Sequence, residues 1–171
     1  MGLVTLSQNI DEQVIVATDA VQKAAFAYIT IEDQGDLYYL LRWNRNWRMY
    51  NFIGGKLENR KGDNGDLSNT LRRELFEEIG LNGSDNYGVQ ELIQVNINQF
   101  SQREKRNKNY HFIVYGVDIY APELRTKIIK DPQNILVNFS EITALETVTG
   151  KPVSQTARHI LEEIEGTVFD F

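Results

Sequence analysis

Apolar and polar residues follow one another in blocks along this chain, and the period of the pattern changes several times. Residues 24–31 form an almost unbroken apolar run rich in aromatic and β-branched side chains, which predicts a buried strand. Residues 37–43 predict its hairpin partner, with Asp33-Gln34-Gly35-Asp36 as the turn. An aromatic and basic stretch, 44–53, leads into Gly54-Gly55. Residues 56–66 hold Asn59, Gly62, Asp63, Asn64, Gly65 and Asp66, which is loop chemistry. The period then becomes helical over 67–79, where Leu67, Leu71, Leu75, Phe76 and Ile79 share one side, and Gly80 is placed to end the helix as a left-handed cap. Ile93, Val95 and Ile97 alternate with Gln94, Asn96 and Asn98, as in a half-buried strand. Residues 110–120 are nearly all apolar and predict a central strand, with the polar segment 101–109 as the hairpin loop between the two. A short strand is expected over 135–139. A last amphipathic helix is expected over 154–165, with Ala157, Ile160, Leu161 and Ile164 on one face and Gly166 after it. Helices mixed with antiparallel hairpins make the class α+β, a mixed-sheet sandwich with helices on both faces.

Composition narrows the choice of function. A length of 171 residues fits a single domain spanning 1–171, without repeat, low-complexity tract or linker. With no cysteine there can be no disulfide scaffold, thiolate zinc site, iron–sulfur cluster or cysteine nucleophile. The net charge of −6 argues against general nucleic-acid binding, which normally carries a basic footprint. An anionic ligand would therefore need a divalent cation or a local basic patch beside it. The first 19 residues lack the basic start and apolar stretch of a secretory signal, and Leu6 stands where a myristoylation signal wants Ser or Thr. No apolar run approaches the roughly 18 residues of a membrane span. These features predict a soluble, cytoplasmic protein without membrane partners.

The chemistry concentrates at the end of the 67–79 helix. At roughly 100° per residue, Glu74, Glu77 and Glu78 share one face, with Glu78 at the border of the apolar stripe. Glu74 and Glu78 are an i, i+4 pair and repel one another. Glu77 and Glu78 also occupy the last turn, where the helix dipole disfavours anions by about 0.3–1 kcal/mol each. A solvated acidic face is the simpler alternative, but it must tolerate this crowding. Mg²⁺ or Mn²⁺ would convert the repulsion into coordination by carboxylate and water oxygens. Gly54-Gly55, directly before the loop and the acidic helix, offers backbone that can approach a metal or ligand closely.

The run Arg73-Glu74-Leu75-Phe76-Glu77-Glu78-Ile79-Gly80-Leu81 resembles the second half of the Nudix box, Gx5Ex7REUxEExGU with U aliphatic, and Gly54-Gly55-Lys56-Leu57-Glu58 resembles its opening. The hairpin before the box and the strands and helix after it suit the α/β/α sandwich of the Nudix hydrolases. One departure is clear: Arg73 stands 18 positions after Gly55 against 14 in the family pattern, so the loop is longer by four residues. The Glu expected eight positions before the Arg falls on Gly65. Asp63 and Asp66 are the candidates for its role, unless that acid is absent.

The resemblance implies hydrolysis of a nucleoside diphosphate linked to another moiety, such as ADP-ribose, a nucleotide sugar or a nucleoside triphosphate. It makes Glu74 and Glu78 metal ligands, Glu77 a ligand or the base that activates water, and the carbonyl of Gly55 or Gly54 a further ligand. Arg73 would orient the glutamates by ion pairing. Glu58 is either a group behind the ligands or a plain loop acid, and Glu104 and Glu141 are candidates for an assisting acid from a later loop. For substrate, Trp47 and Phe52, with Trp43 and Tyr50, could stack a base, while Arg48, Lys56, Arg42 and Arg45 could meet phosphates and Gly54 the backbone side of the ligand. Alternating aromatics are more often core. The basic residues Arg103, Lys105, Arg106 and Lys108 fit a solvated hairpin tip or a phosphate contact, and His111 and His159 stand alone. A catalytically weak or inactive nucleotide-binding sensor of the same fold is the alternative function. Many relatives are dimers, so a homodimer is admitted, although no interface can be read.

Overall fold

The apolar run 24–31 is divided between two sheets. A computed structural model describes residues 21–101 and 104–169, and in it the run breaks at Ile29 into β1 (Gln22–Tyr28) and β2 (Thr30–Asp33). Along β1, Ala24 and Phe26 enter one core cluster and Ala25 and Ala27 another, so both faces of the strand are buried. β2 is largely exposed and pairs antiparallel with β3 (Asp36–Asn44). The expected hairpin therefore holds for β2 and β3 only. β1 pairs instead with β5 (Ile53–Lys56), antiparallel, and with β7 (Arg106–Ile119), parallel.

The first sheet has the order β5-β1-β7-β6, with β6 (Tyr87–Ser101) antiparallel to β7. In the second, Tyr39 pairs with both Thr30 and Val137, and Arg42 with both Asn51 and Asn134. Hence β3 carries β2 and β4 (Met49–Asn51) along one side and β8 (Asn134–Val137) along the other. The chain passes between the sheets at Ile29 and again at Phe52. Both residues are buried.

Helix α1 (Leu67–Ile79) has the predicted bounds. Asp66 caps its start by accepting from the Ser68 N–H, and Gly80 ends it at φ 71° in the left-handed region. Leu67, Leu71 and Leu75 pack in the cluster that holds Ala25, Ala27 and Tyr115. The opposite cluster takes Ala157, Ile160, Leu161 and Ile164 from α4 (Gln155–Phe169). The strands thus lie between α1 on one face and α4 on the other, as expected for the sandwich. Among the described residues, no helix is long and apolar enough to cross a membrane.

Several expectations shift. Pairing of β6 and β7 continues to Ser101 and Arg106, so polar residues expected to form a loop over 101–109 mostly extend the ladder beyond the core. Phe139 belongs not to a strand but to α3 (Phe139–Ala144), which opens with a reciprocal cap between Asn138 and Glu141. Gly166 does not stop α4, since glycine inside a helix costs only about 1 kcal/mol relative to alanine and the helix runs on through it. An unexpected helix, α2 (Pro122–Lys130), joins β7 to β8, with proline in its first turn. Residues 1–20, the N-terminal reading with them, and Arg103 lie outside the described residues.

Candidate active site

The buried stripe of α1 is rotated toward the glutamates relative to the expected apolar face. Thr70 is fully buried, whereas Phe76 is 57% exposed and not part of the core. The rotation places Glu74 against β5, and the Glu74 side chain keeps only 12% of its surface exposed. A Cβ at Gly55 would collide with the Glu74 carboxylate, and one at Gly54 with the Ala25 carbonyl. Neighbouring backbone therefore demands glycine at 54, while at 55 the absent Cβ leaves room for the Glu74 carboxylate, and the Gly54 N–H donates to Glu78.

Arg73 ties the site together. Its Nε and Nη2 donate to the two oxygens of Asp63 at 2.9 Å each, a bidentate fork, and Nη2 also donates to the Lys56 carbonyl at 3.0 Å. Its Nη1 reaches Glu77 at 3.3 Å and Glu74 at 3.4 Å. Asp63 is 1% exposed and accepts further from Thr70 Oγ1 and the Glu58 N–H, both at 2.8 Å. These donors, Arg73 first, hold its carboxyl well below the usual range. Asp63 is thus the acid that meets Arg73, and Asp66 serves as the helix cap.

The carboxyl of Glu74 is pushed up to about 7, first by burial and then by the charge of Glu78. Burial also raises Glu78, against the opposing pull of Arg42. Arg42 itself donates to Asp131 at 3.0 Å and to Asn134 at 2.9 Å, joining β3, β8 and the end of α2 close to Glu78. The sequence contained no spacing that would announce this group. Glu77, with 41% of its side chain exposed, faces solvent. Among the described residues, no group of three or more His, Asp or Glu stands ready-made around a cation position.

The other candidates distribute unevenly. Phe52 is 3% exposed and packs on Tyr28 in the core, which removes it from ligand contact. Trp47 and Arg48 form the β3–β4 turn, where Trp47 is exposed and Arg48 has φ 56°. Among the described residues, no hydrogen bond or ion pair joins either side chain to the glutamates. The Lys56 ammonium is exposed beside a cavity of about 530 Å³ that Lys23 and Arg60 also line. Glu58 pairs with Lys61 at 3.6 Å. Glu141 is occupied by the α3 cap and the Val148 N–H, and Glu104 by Arg106 and Lys108 at the hairpin tip. Neither later acid is turned to the α1 glutamates.

No family model matches the sequence. No curated protein matches it either. Solved structures do share the fold. NrtR from Shewanella oneidensis in complex with a 27mer DNA superposes with TM-score 0.61 at 13% identity over 85% of this chain. The chain spans only 61% of that NrtR structure. The Nudix domain of NrtR complexed with ADP ribose gives 0.58 at 15% identity, over 89% of this chain and 91% of the domain. The C. elegans Ap4A hydrolase gives 0.60 at 13% identity, over 87% and 99%.

Proposed function

We propose that this chain, whose fold is the Nudix fold of those structures, is a divalent-metal-dependent hydrolase. Its substrate class is a nucleoside diphosphate linked to another moiety, and the bond cleaved is the phosphoric anhydride. One observation carries the reading: Arg73 gathers Asp63, the Lys56 carbonyl, Glu74 and Glu77 beside Gly54 and Gly55, where the missing side chains let β5 backbone and the Glu74 carboxylate approach closely.

The donors suit Mg²⁺ or Mn²⁺ in kind, since all are oxygens, and in electrostatics, since Glu74 and Glu78 repel at a buried position. Mg²⁺ commonly binds through one or two carboxylates and keeps its waters, so a cage of three acids is not required. Glu74 and Glu78, with the Gly55 carbonyl, would hold the ion. When bound, it supplies neutralisation of the phosphates and a water acidic enough to attack near neutral pH. The Gly54 N–H fixes the Glu78 carboxylate, and Arg73 fixes Glu74 while Asp63 fixes Arg73. Glu77, the most exposed of the three acids, would take the proton from a water as its oxygen bonds to phosphorus and the bridging P–O bond breaks.

The test is a panel of ADP-ribose, a nucleotide sugar and a nucleoside triphosphate with each metal, with products identified. Glu77→Gln should lower kcat by roughly 10²–10⁴-fold, and Glu78→Gln should abolish the metal-dependent turnover. Turnover untouched by Glu78→Gln refutes the assignment. Gly65, which stands where the Nudix pattern has a Glu, favours a second reading, a nucleotide-binding sensor without turnover. Calorimetric binding with no product at any metal concentration would decide for it.

A further inference from the structure

Beyond the glutamates, a groove of about 690 Å³ runs from Glu78 in the last turn of α1 along α2. Its α2 wall carries Glu123, Thr126, Lys127 and Lys130. Those positions are spaced i, i+3, i+4, i+7, so one whole stripe of the helix faces the groove, next to the stripe that buries Ile128. No aromatic side chain is among the residues that line it, so it offers no surface on which a base could stack.

The charges in the groove are of two kinds. Asp131, at the end of α2, is engaged by Arg42 at 3.0 Å and by the Gln133 N–H at 2.9 Å. Glu78 accepts from Gly54 and belongs to the candidate ion site. What remains is Glu123 against the two exposed ammoniums of Lys127 and Lys130, in a chain of net charge −6. The lining as a whole holds three acids and two lysines, and with Asp131 paired to Arg42 and Glu78 assigned to the ion, the two lysines outnumber the one remaining acid.

We propose that this groove receives the moiety across the scissile pyrophosphate from the nucleoside, and that Lys127 and Lys130 hold a phosphate carried by that moiety. The inference rests on the hydrolase reading above and narrows it to substrates with an anionic far end. A purely structural role is the competing account, because both lysines lie in the last turn of α2, where cations stabilise the helix dipole. That role would move the melting temperature and leave substrate preference alone.

The experiment compares adenosine 5′-tetraphosphate with ADP-glucose, whose far end is uncharged, in wild type, K127Q/K130Q and K127R/K130R. The Gln variant should lower kcat/KM for the tetraphosphate relative to ADP-glucose about tenfold or more, through KM, and the Arg variant should restore it. An unchanged ratio in the Gln variant, or wild-type activity on ADP-glucose alone, overturns the groove assignment while the hydrolase reading stands. Wild type inactive on both compounds with either metal overturns the groove assignment, and inactivity on ADP-ribose as well overturns the hydrolase reading.

Discussion

Replacing Asp63 with Ala removes the two Arg73 bonds and those from Thr70 and Glu58 together, and leaves a guanidinium facing two glutamates without its main partner. Breaking one side of a buried pair typically costs about 3–5 kcal/mol, a loss that urea denaturation at pH 7 would read, whereas Asp66→Ala should cost only about 1 kcal/mol as a lost cap. Because its carboxyl is depressed, the stability Asp63 contributes is present above about pH 4, its ordinary range, and is lost on acidification below it. Glu74 works in the opposite sense. Its carboxyl is raised to about 7, so the metal-free protein should lose stability, on the order of 3 kcal/mol, as pH climbs from about 4.5 through 7. A Glu74→Gln variant should flatten that slope in a series of thermal melts. The shared face of Glu74, Glu77 and Glu78 was legible because a helical period fixes which residues lie together, whereas Arg73 as their partner came from the resemblance to the Nudix box. Which loop acid meets Arg73 was not legible, since four additional residues alter the spacing, and burial of Asp63 depends on Thr70 and Glu58 closing over it.

At the scale of elements, α1 shows what period alone can decide. Leu71 and Leu75 are fully buried as the pattern requires, and Leu71→Ala should cost about 2–5 kcal/mol in chemical denaturation. Gly80→Ala should cost about 1–2 kcal/mol, because the left-handed φ of 71° disfavours any Cβ. Phe76 was misplaced for a reason the same helix supplies. It lies at the far limit of the apolar arc, and the close approach of β5 at Gly55 turns the buried side toward Glu74 instead. The boundary at Ile29 was invisible for a different reason, since a run of apolar residues does not say which sheet each residue joins. Helix α2 left signals in Pro122 and in the Leu124 and Ile128 pair, but the segment is short and its exposed face mixes both charges.

For the whole molecule, the sign of the net charge is less informative than where the acids are placed. Folding drives Glu74 and Glu78 together beside β5 at a cost, and that cost is relieved either by a proton or by a cation. A divalent ion should therefore stabilise the protein with the logarithm of its free concentration, by about 2.7 kcal/mol at one hundred times its dissociation constant. For a chain of this length that corresponds to roughly 5–10 °C in the melting temperature. Proton and metal compete for the same carboxylate, so the stabilisation should shrink as pH falls below about 7, the value to which Glu74 is raised. Scanning calorimetry with Mg²⁺, Mn²⁺ and Na⁺ at matched ionic strength, at pH 6 and pH 8, separates this linkage from general screening of an acidic surface. Equal shifts for all three ions, or shifts that survive Glu74→Gln and Glu78→Gln together, would mean that the crowded glutamates do not take up a cation, and the proposed chemistry would lose its foundation.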